Sequence, residues 1–293
     1  MISDPVALFR GELEHRFGPI KLCPVPDGRI HRFHVPYDRT GSRNGWYALH
    51  IDGAFSCGAF GSWKTGERFT WNSLKASHPI EANVLRQQLE RSRHQREAER
   101  CQLQQAAARY ACQLWSQAGP AEPHHPYLAS KGCEGHNLRQ LGGALLVPLY
   151  YAGQLVNLQR IHPDGNKRFL RGGQITGCYA PLGAPVTGQP LYICEGWATG
   201  ATLHESTGAS VACAMNAGNL LTAGRELQRR YPDTELIIAG DDDRQTRGNP
   251  GRAAATSAAQ TLSIGLVFPA WPENAPLSLS DFNDLRQWRE GYA

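Results

Sequence analysis

The sequence holds 8 cysteines, at 23, 57, 101, 112, 133, 178, 194 and 213, and no two form a Cys-x-x-Cys pair. Structural zinc sites and redox dithiols usually draw on such close pairs, so neither is announced. Single cysteines, several inside apolar or helix-like stretches, fit reduced and mostly buried thiols in a cytoplasmic protein. No stretch approaches the roughly 18 consecutive apolar residues of a membrane span. No basic-then-apolar segment opens the chain, so neither export by that route nor membrane insertion is expected. Lysine is scarce beside arginine. Arginine suits phosphate contacts, although genome base composition produces the same bias.

What is present is ordinary for a globular protein. The 293 residues are 41% hydrophobic and 19% charged, enough for one large domain or two to three small ones. A net charge of +4 permits nucleic-acid binding without demanding it.

The chain divides into four pieces. In residues 1–78, "DPVALFRGELEHRFG" has helical periodicity. "GRIHRFHVP", "NGWYALHID", "AFSCGAFGSW" and "RFTWN" then alternate apolar and polar residues between turns, which predicts a small antiparallel sheet. This piece is rich in rings (Phe33, Tyr37, Trp46, Tyr47, Phe55, Phe60, Trp63, Phe69, Trp71) and carries Arg29, Arg32, Arg39, Arg43 and Lys64. Most of the rings should fill the core of the sheet, and exposed ones could stack on bases beside the basic groups. Cys23, His31, His34 and Cys57 are the available zinc ligands; the histidines are close but the cysteines stand alone, so no zinc is expected.

Residues 79–118, free of glycine and of proline after Pro79, form one long helix whose polar middle suits solvent or a surface. "GPAEPHHP" breaks it. Residues 119–188 begin with a short helix at "PYLASKGC". Strands at 145–150, 154–161 and 167–170 follow, with turns at Ala152-Gly153 and Pro163-Asp164-Gly165-Asn166. Their edge carries Arg160, His162, Lys167, Arg168 and Arg171, a local basic ridge.

In residues 189–293, short apolar runs at 191–194, 210–214, 235–239 and 264–268 alternate with helical patterns at 197–207, 217–230 and 250–262. That is a parallel sheet with crossover helices, buried on both faces. Glu195 follows the first strand, and Asp241, Asp242 and Asp243 follow the third. Sites in such sheets form at the carboxyl ends of the strands. If both strands are central these carboxylates converge, and a divalent cation relieves their repulsion. Single aspartates there often only cap the next helix, but a Glu-Gly and an Asp-x-Asp within one unit point to metal.

These residues resemble a known family. "ICEG", "AGDDD", "NPGRAAA" and "SDFNDL" are similar to the Toprim domain shared by bacterial primases, type IA and type II topoisomerases and some nucleases. "HPYLASKG" and "NLQRIHPDGNKRFL" most resemble plasmid, phage and integrative-element primases. The resemblance implies a Toprim fold preceded by a basic α+β subdomain and a small N-terminal β domain where chromosomal primases have a zinc ribbon. It implies a DNA primase working by metal-dependent nucleotidyl transfer on single-stranded DNA with nucleoside triphosphates. Glu195, Asp241 and Asp243 would be catalytic and would hold Mg²⁺ or Mn²⁺, with Asp281 and Asp284 as further ligands. Arg160, Lys167, Arg168 and Arg171 would hold template or nucleotide phosphates. Asn216 and Asn219 could contact substrate or cap the next helix. The sequence departs from the family at Thr199, where primases often place an aspartate. It also has no phosphate-loop motif and no length after residue 293 for a helicase-binding domain, so any helicase or initiator would be a separate chain. A Toprim nuclease, or a non-catalytic replication or partner-binding protein, is the alternative.

Overall fold

The computed structural model describes residues 4–36, 38–52, 55–73 and 79–291. The boundary expected at 78, Tyr37 and the side chain of Phe55 lie outside the described residues. Two compact units, 1–96 and 97–293, divide within a long helix.

The first unit opens with α1 (Pro5–Phe17), whose N-cap is Asp4 with Pro5 at its first position, a favourable start. β1 (His31–Phe33), β2 (Gly45–Asp52), β3 (Phe55–Ser62) and β4 (Arg68–Asn72) form an antiparallel meander in that order. Phe9 and Leu13 of α1 pack with Phe33, Tyr47, Leu49 and Phe60 from one face of the sheet. As expected, many of the rings are core. Two of the possible zinc ligands have polar partners: His31 bonds Asp27 at 2.8 Å and stacks on Tyr47, and His34 bonds the Ser42 carbonyl.

The helix α2 (Pro79–Gln117) spans the division. Toward its C-terminal end, Ala111, Leu114 and Ala118 just beyond it pack on Leu146 and Leu158. That portion is one wall of a core, not a solvated connector.

In the second unit, β5 (Gly119–Pro120), β6 (Arg139–Leu141), β7 (Ala144–Tyr151), β8 (Gln154–Ile161) and β9 (Lys167–Phe169) make an antiparallel sheet, with α3 (Pro126–Lys131) after β5. Gly132, in the left-handed region at φ 56°, stops α3. The following sheet runs β10-β12-β11-β13-β14. Its members are β10 (Ala180–Leu182), β11 (Leu191–Cys194), β12 (Ser210–Cys213), β13 (Leu236–Ala239) and β14 (Gly265–Val267). All but β10 are parallel. Crossover helices α4 (Trp197–Thr207), α5 (Leu220–Arg230) and α6 (Pro250–Leu262), then α7 (Phe282–Glu290), cover it. Alternation along each strand splits the core. Ile193 and Ile238 pack with α5 and α6, while Cys194 and Ala239 pack with α4. Leu145, Val147 and Ile161 of the antiparallel sheet join the α4 side, so the two sheets keep separate ladders and share one core.

The cysteines differ from expectation. Cys133, Cys178, Cys194 and Cys213 are buried, but Cys23, Cys101 and Cys112 are exposed. Even exposed, the Cys112 thiol reaches the Leu155 carbonyl of the sheet at 3.8 Å. Among the described residues no helix is long and apolar enough to cross a membrane.

Candidate active site

The parallel register sets the site. Cys194 at the end of β11 is level with Ala239 at the end of adjacent β13. Glu195 and Asp241 therefore leave neighbouring strands at the same edge, the carboxyl end of a central pair. Burial, then the charges of Glu195, Asp281, Asp243 and Asp284, push the Asp241 carboxyl up to about 8. Burial, Asp243 and Asp281 push Glu195 up to about 7, partly opposed by the Ala217 backbone N–H. One oxygen of each, Glu195 Oε1 and Asp241 Oδ1, is buried without a hydrogen-bond partner. Such orphaned acceptors are costly unless something satisfies them.

Asp243 is held differently. Its Oδ2 accepts the Gly251 N–H at 2.8 Å, from the first turn of α6. A Cβ on Gly251 would stand 2.9 Å from that oxygen and 3.1 Å from both Cβ and carbonyl oxygen of Asp241. Gly251→Ala is accordingly expected to keep the fold while lowering activity at least about tenfold, because a displacement near 1 Å is enough for such losses. Thermal melting alongside a turnover assay checks it; wild-type turnover would refute the tight approach.

The middle aspartate turns the other way. Asp242 accepts from Arg252 Nε at 2.8 Å and Nη2 at 2.9 Å, from Asn249 Nδ2 at 2.6 Å, and from Trp271 Nε1 at 3.1 Å. The Arg252 guanidinium holds its pKa down at about 2. Arg244 stacks on Trp271 at 4.2 Å and bonds the Pro276 carbonyl. The Asp242 N–H donates to the Ser280 carbonyl. The aspartate run and the segment leading to α7 are thus tied together.

That tie brings Asp281 and Asp284 beside the strand ends. Asp281 is the N-cap of α7, accepting the Asp284 N–H at 2.8 Å. Its other oxygen accepts from Thr199 Oγ1 at 3.1 Å. Asp284 Oδ2 accepts the N–H of Ser280, the residue before the cap, at 2.9 Å. Burial and Asp284 raise the Asp281 pKa. Both carboxylates therefore carry structural bonds as well as charge, and Thr199, 1% exposed, supplies a donor where a sixth acid would add repulsion.

The basic hairpin is divided by strand alternation. Arg160 and Arg168 face each other across β8 and β9, while Lys167 pairs with Ile161 on the opposite side. The Lys167 ammonium lies over the Tyr127 ring at 5.1 Å. Burial and Lys131 lower its pKa, against the pull of Asp281 and Asp241. Lys167 thus turns to the side of Tyr127 and lies near enough to Asp281 and Asp241 to feel their charge. Arg168 lines an open cleft of about 570 Å³ with His162 and Asn166, and Arg171 is exposed.

Lys131, at the end of α3, escapes sequence reasoning, yet its charge bears on both Lys167 and Asp281. A lysine before a helix-stopping glycine in a lysine-poor chain is the only local hint. Met215, just past β12, holds the left-handed region at φ 70°, a strained choice for a non-glycine residue next to a functional edge. Of the two asparagines, Asn219 is structural. Its amide donates to the Cys178 and Ala214 carbonyls and accepts from Gly177 and Thr222. Asn216 is exposed and makes no capping bond.

The donor set fits a hard divalent cation: buried, crowded carboxylates with two unpartnered oxygens. Among the described residues no three His, Cys, Asp or Glu side chains are gathered into a ready-made ligand cage.

This arrangement, a carboxylate after one parallel strand and an Asp-x-Asp after its neighbour, is a Toprim domain, and residues 190–291 match that family. Among relatives, a DNA primase TraC of Escherichia coli is 34% identical over 258 residues, 84% of this chain and 18% of that protein. A second DNA primase TraC of Escherichia coli is 33% identical over 273 residues, 86% of this chain and 26% of that protein. The chain spans about a fifth to a quarter of the length of these curated relatives. A solved DnaG catalytic core, 14% identical, is matched over 64% of this chain and 75% of that one with a TM-score of 0.39.

Proposed function

We propose that this chain is a DNA primase module that joins nucleotides on a single-stranded DNA template. The observation that carries the reading is the pair of unpartnered buried oxygens on Glu195 and Asp241, just past the ends of the paired strands β11 and β13, with the ammonium of Lys167 close enough to feel the Asp241 charge. A site for a nucleoside triphosphate needs both: acids to share a cation and a base to meet phosphate. The similarity to primases named TraC supports the same reading.

Glu195, Asp241 and Asp243 would hold Mg²⁺ or Mn²⁺, with Asp281 and Asp284 completing the acidic surround. A divalent cation held there would neutralise the negative charge that develops in nucleotidyl transfer. Asp243, fixed by the Gly251 N–H, presents its second oxygen in a set direction. Glu195 would share the ion or take the proton of the attacking 3′-hydroxyl. Lys167 and Lys131 meet the triphosphate, while Arg160, Arg168 and Arg171 carry the template away from the site. We also propose a division into 1–78, 79–118, 119–188 and 189–293, a zinc-free first module, and a helicase or initiator as a partner.

Incorporation of labelled nucleotide on single-stranded template tests the reading. Products should appear only with Mg²⁺ or Mn²⁺ and nucleoside triphosphates. Cleavage of the template without nucleotides would instead mark a nuclease, and full activity in EDTA would remove the metal from the mechanism.

The basic groups give a separate prediction. Changing Lys167 and Arg168 to Ala should lower the slope of log K against log salt by about 1 to 2, at roughly 0.7 per phosphate for single strands. An unchanged slope would place the phosphate path elsewhere.

A further inference from the structure

The N-terminal sheet buries one face against α1, and alternation turns the other set of side chains outward. On that outer face the registers align Arg32, Trp46, Gly61 and Arg68 in a single row across all four strands. The next row holds the small residues Ala48, Ala59 and Thr70. Trp63, just beyond β3, is 58% exposed, and its ring lies 5.6 Å from that of Trp46 at 35°. Glycine is required at 61, where a Cβ would stand 2.1 Å from the Glu67 carbonyl oxygen and 3.0 Å from the Trp46 indole.

The charges are placed as deliberately as the rings. Arg32 and Arg43 each donate to the other's backbone carbonyl, at 3.1 and 2.9 Å. Each spends one of its five donors in that bond, and both side chains are exposed. Arg68 is exposed at the opposite end of the row. Four strands place Arg32 and Arg68 about 14 Å apart at the backbone, a span of a few nucleotides. No carboxylate stands in the row.

We propose that this face docks single-stranded nucleic acid: Trp63, backed by Trp46, stacks a base, and Arg32, Arg43 and Arg68 hold the phosphates on either side. Indole faces accept any base and guanidiniums neutralise the backbone, so the surface reads strandedness rather than sequence. A duplex hides its base faces and would gain only from the charges. The inference rests on the primase reading only for the identity of the strand as template; docking itself needs no chemistry.

The test is a titration of the full chain with a fluorescein-labelled oligothymidine of about 16 nucleotides, followed by anisotropy in EDTA, where metal-dependent synthesis cannot occur. Trp63→Ala is expected to weaken binding about tenfold, the usual effect of losing one base stack. Trp63→Phe should retain most of the affinity, because a ring remains. Arg32→Ala with Arg68→Ala should lower the salt slope by about 1.4. Trp63→Ala should leave the affinity for a duplex of the same length nearly unchanged. Unchanged single-strand affinity in Trp63→Ala overturns the proposal. So does an equal loss in Trp63→Phe, or an equal loss on duplex. Because the titration contains no metal, a chain that fails as a primase but shows the Trp63 effect keeps the docking surface and loses only the activity.

Discussion

Asp241→Asn should abolish primer synthesis, by about 10³-fold or more, and at the same time raise the melting temperature of the metal-free protein at pH 8. The two effects have one origin. Asp241 is buried among four other carboxylates, and its pKa stands at about 8 instead of the usual 3.8. A carboxyl whose pKa is raised in the folded state favours folding most when protonated. That contribution is complete below about pH 4 and is lost as the pH rises through about 8. Asparagine has the same shape and no charge to lose. The variant should therefore melt about 5 °C or more above the parent at pH 8, with the gap closing toward pH 4. Adding Mg²⁺ should raise the parent and leave the variant nearly unmoved. Melting curves with and without EDTA, beside nucleotide incorporation, read both effects. A variant that still makes primers, or that melts below the parent at pH 8, removes Asp241 from the site.

Asp242→Ala, one residue on, should do the opposite to stability: a loss of about 3 kcal/mol, with activity falling as a consequence. Asp242 is 4% exposed, and its two oxygens take four bonds, from Arg252, Asn249 and Trp271. Alanine leaves all of those donors without their acceptor. Asn249 is also the N-cap of α6, held at φ 43°, so the helix that fixes Asp243 loses its anchor. The pH dependence has the reverse sign too. A pKa of about 2 in the folded state means that the stabilisation is full above about pH 4 and is lost as the pH falls through 2. Urea unfolding of parent and variant at pH 7 measures the cost. A difference below about 0.5 kcal/mol, the scale of ordinary surface changes, would mean that the network contributes nothing.

Much of the parallel sheet was legible in the sequence. The apolar runs at 191–194 and 235–239 became β11 and β13, and the helical patterns at 197–207 and 250–262 became α4 and α6. These elements are set by local pattern: unbroken apolar strands between amphipathic turns, with glycine and asparagine at the ends. The pattern missed α7, because "SDFNDLRQWRE" reads as a polar motif until Asn283 and Leu285 are buried by α3 and α4. It also left the exposed thiols on α2 unmarked, since a helix's inward side depends on what packs against it.

From the sequence alone came the acids at the strand ends, Glu195 and Asp241 to Asp243, and the basic content of the hairpin around Lys167. Only the tertiary structure decided which way each points. Three consecutive aspartates are chemically identical, and alternation says only that the middle one differs from its neighbours. It was Arg252 and Trp271, brought in by α6 and the segment after β14, that made Asp242 a structural anchor. The same holds for Lys167 and Arg168. They are adjacent in the chain, and the packing of β9 turned one toward Tyr127 and the acids and the other toward an open cleft. Backbone periodicity is a local property, but the face that becomes a site is fixed by partners distant in sequence.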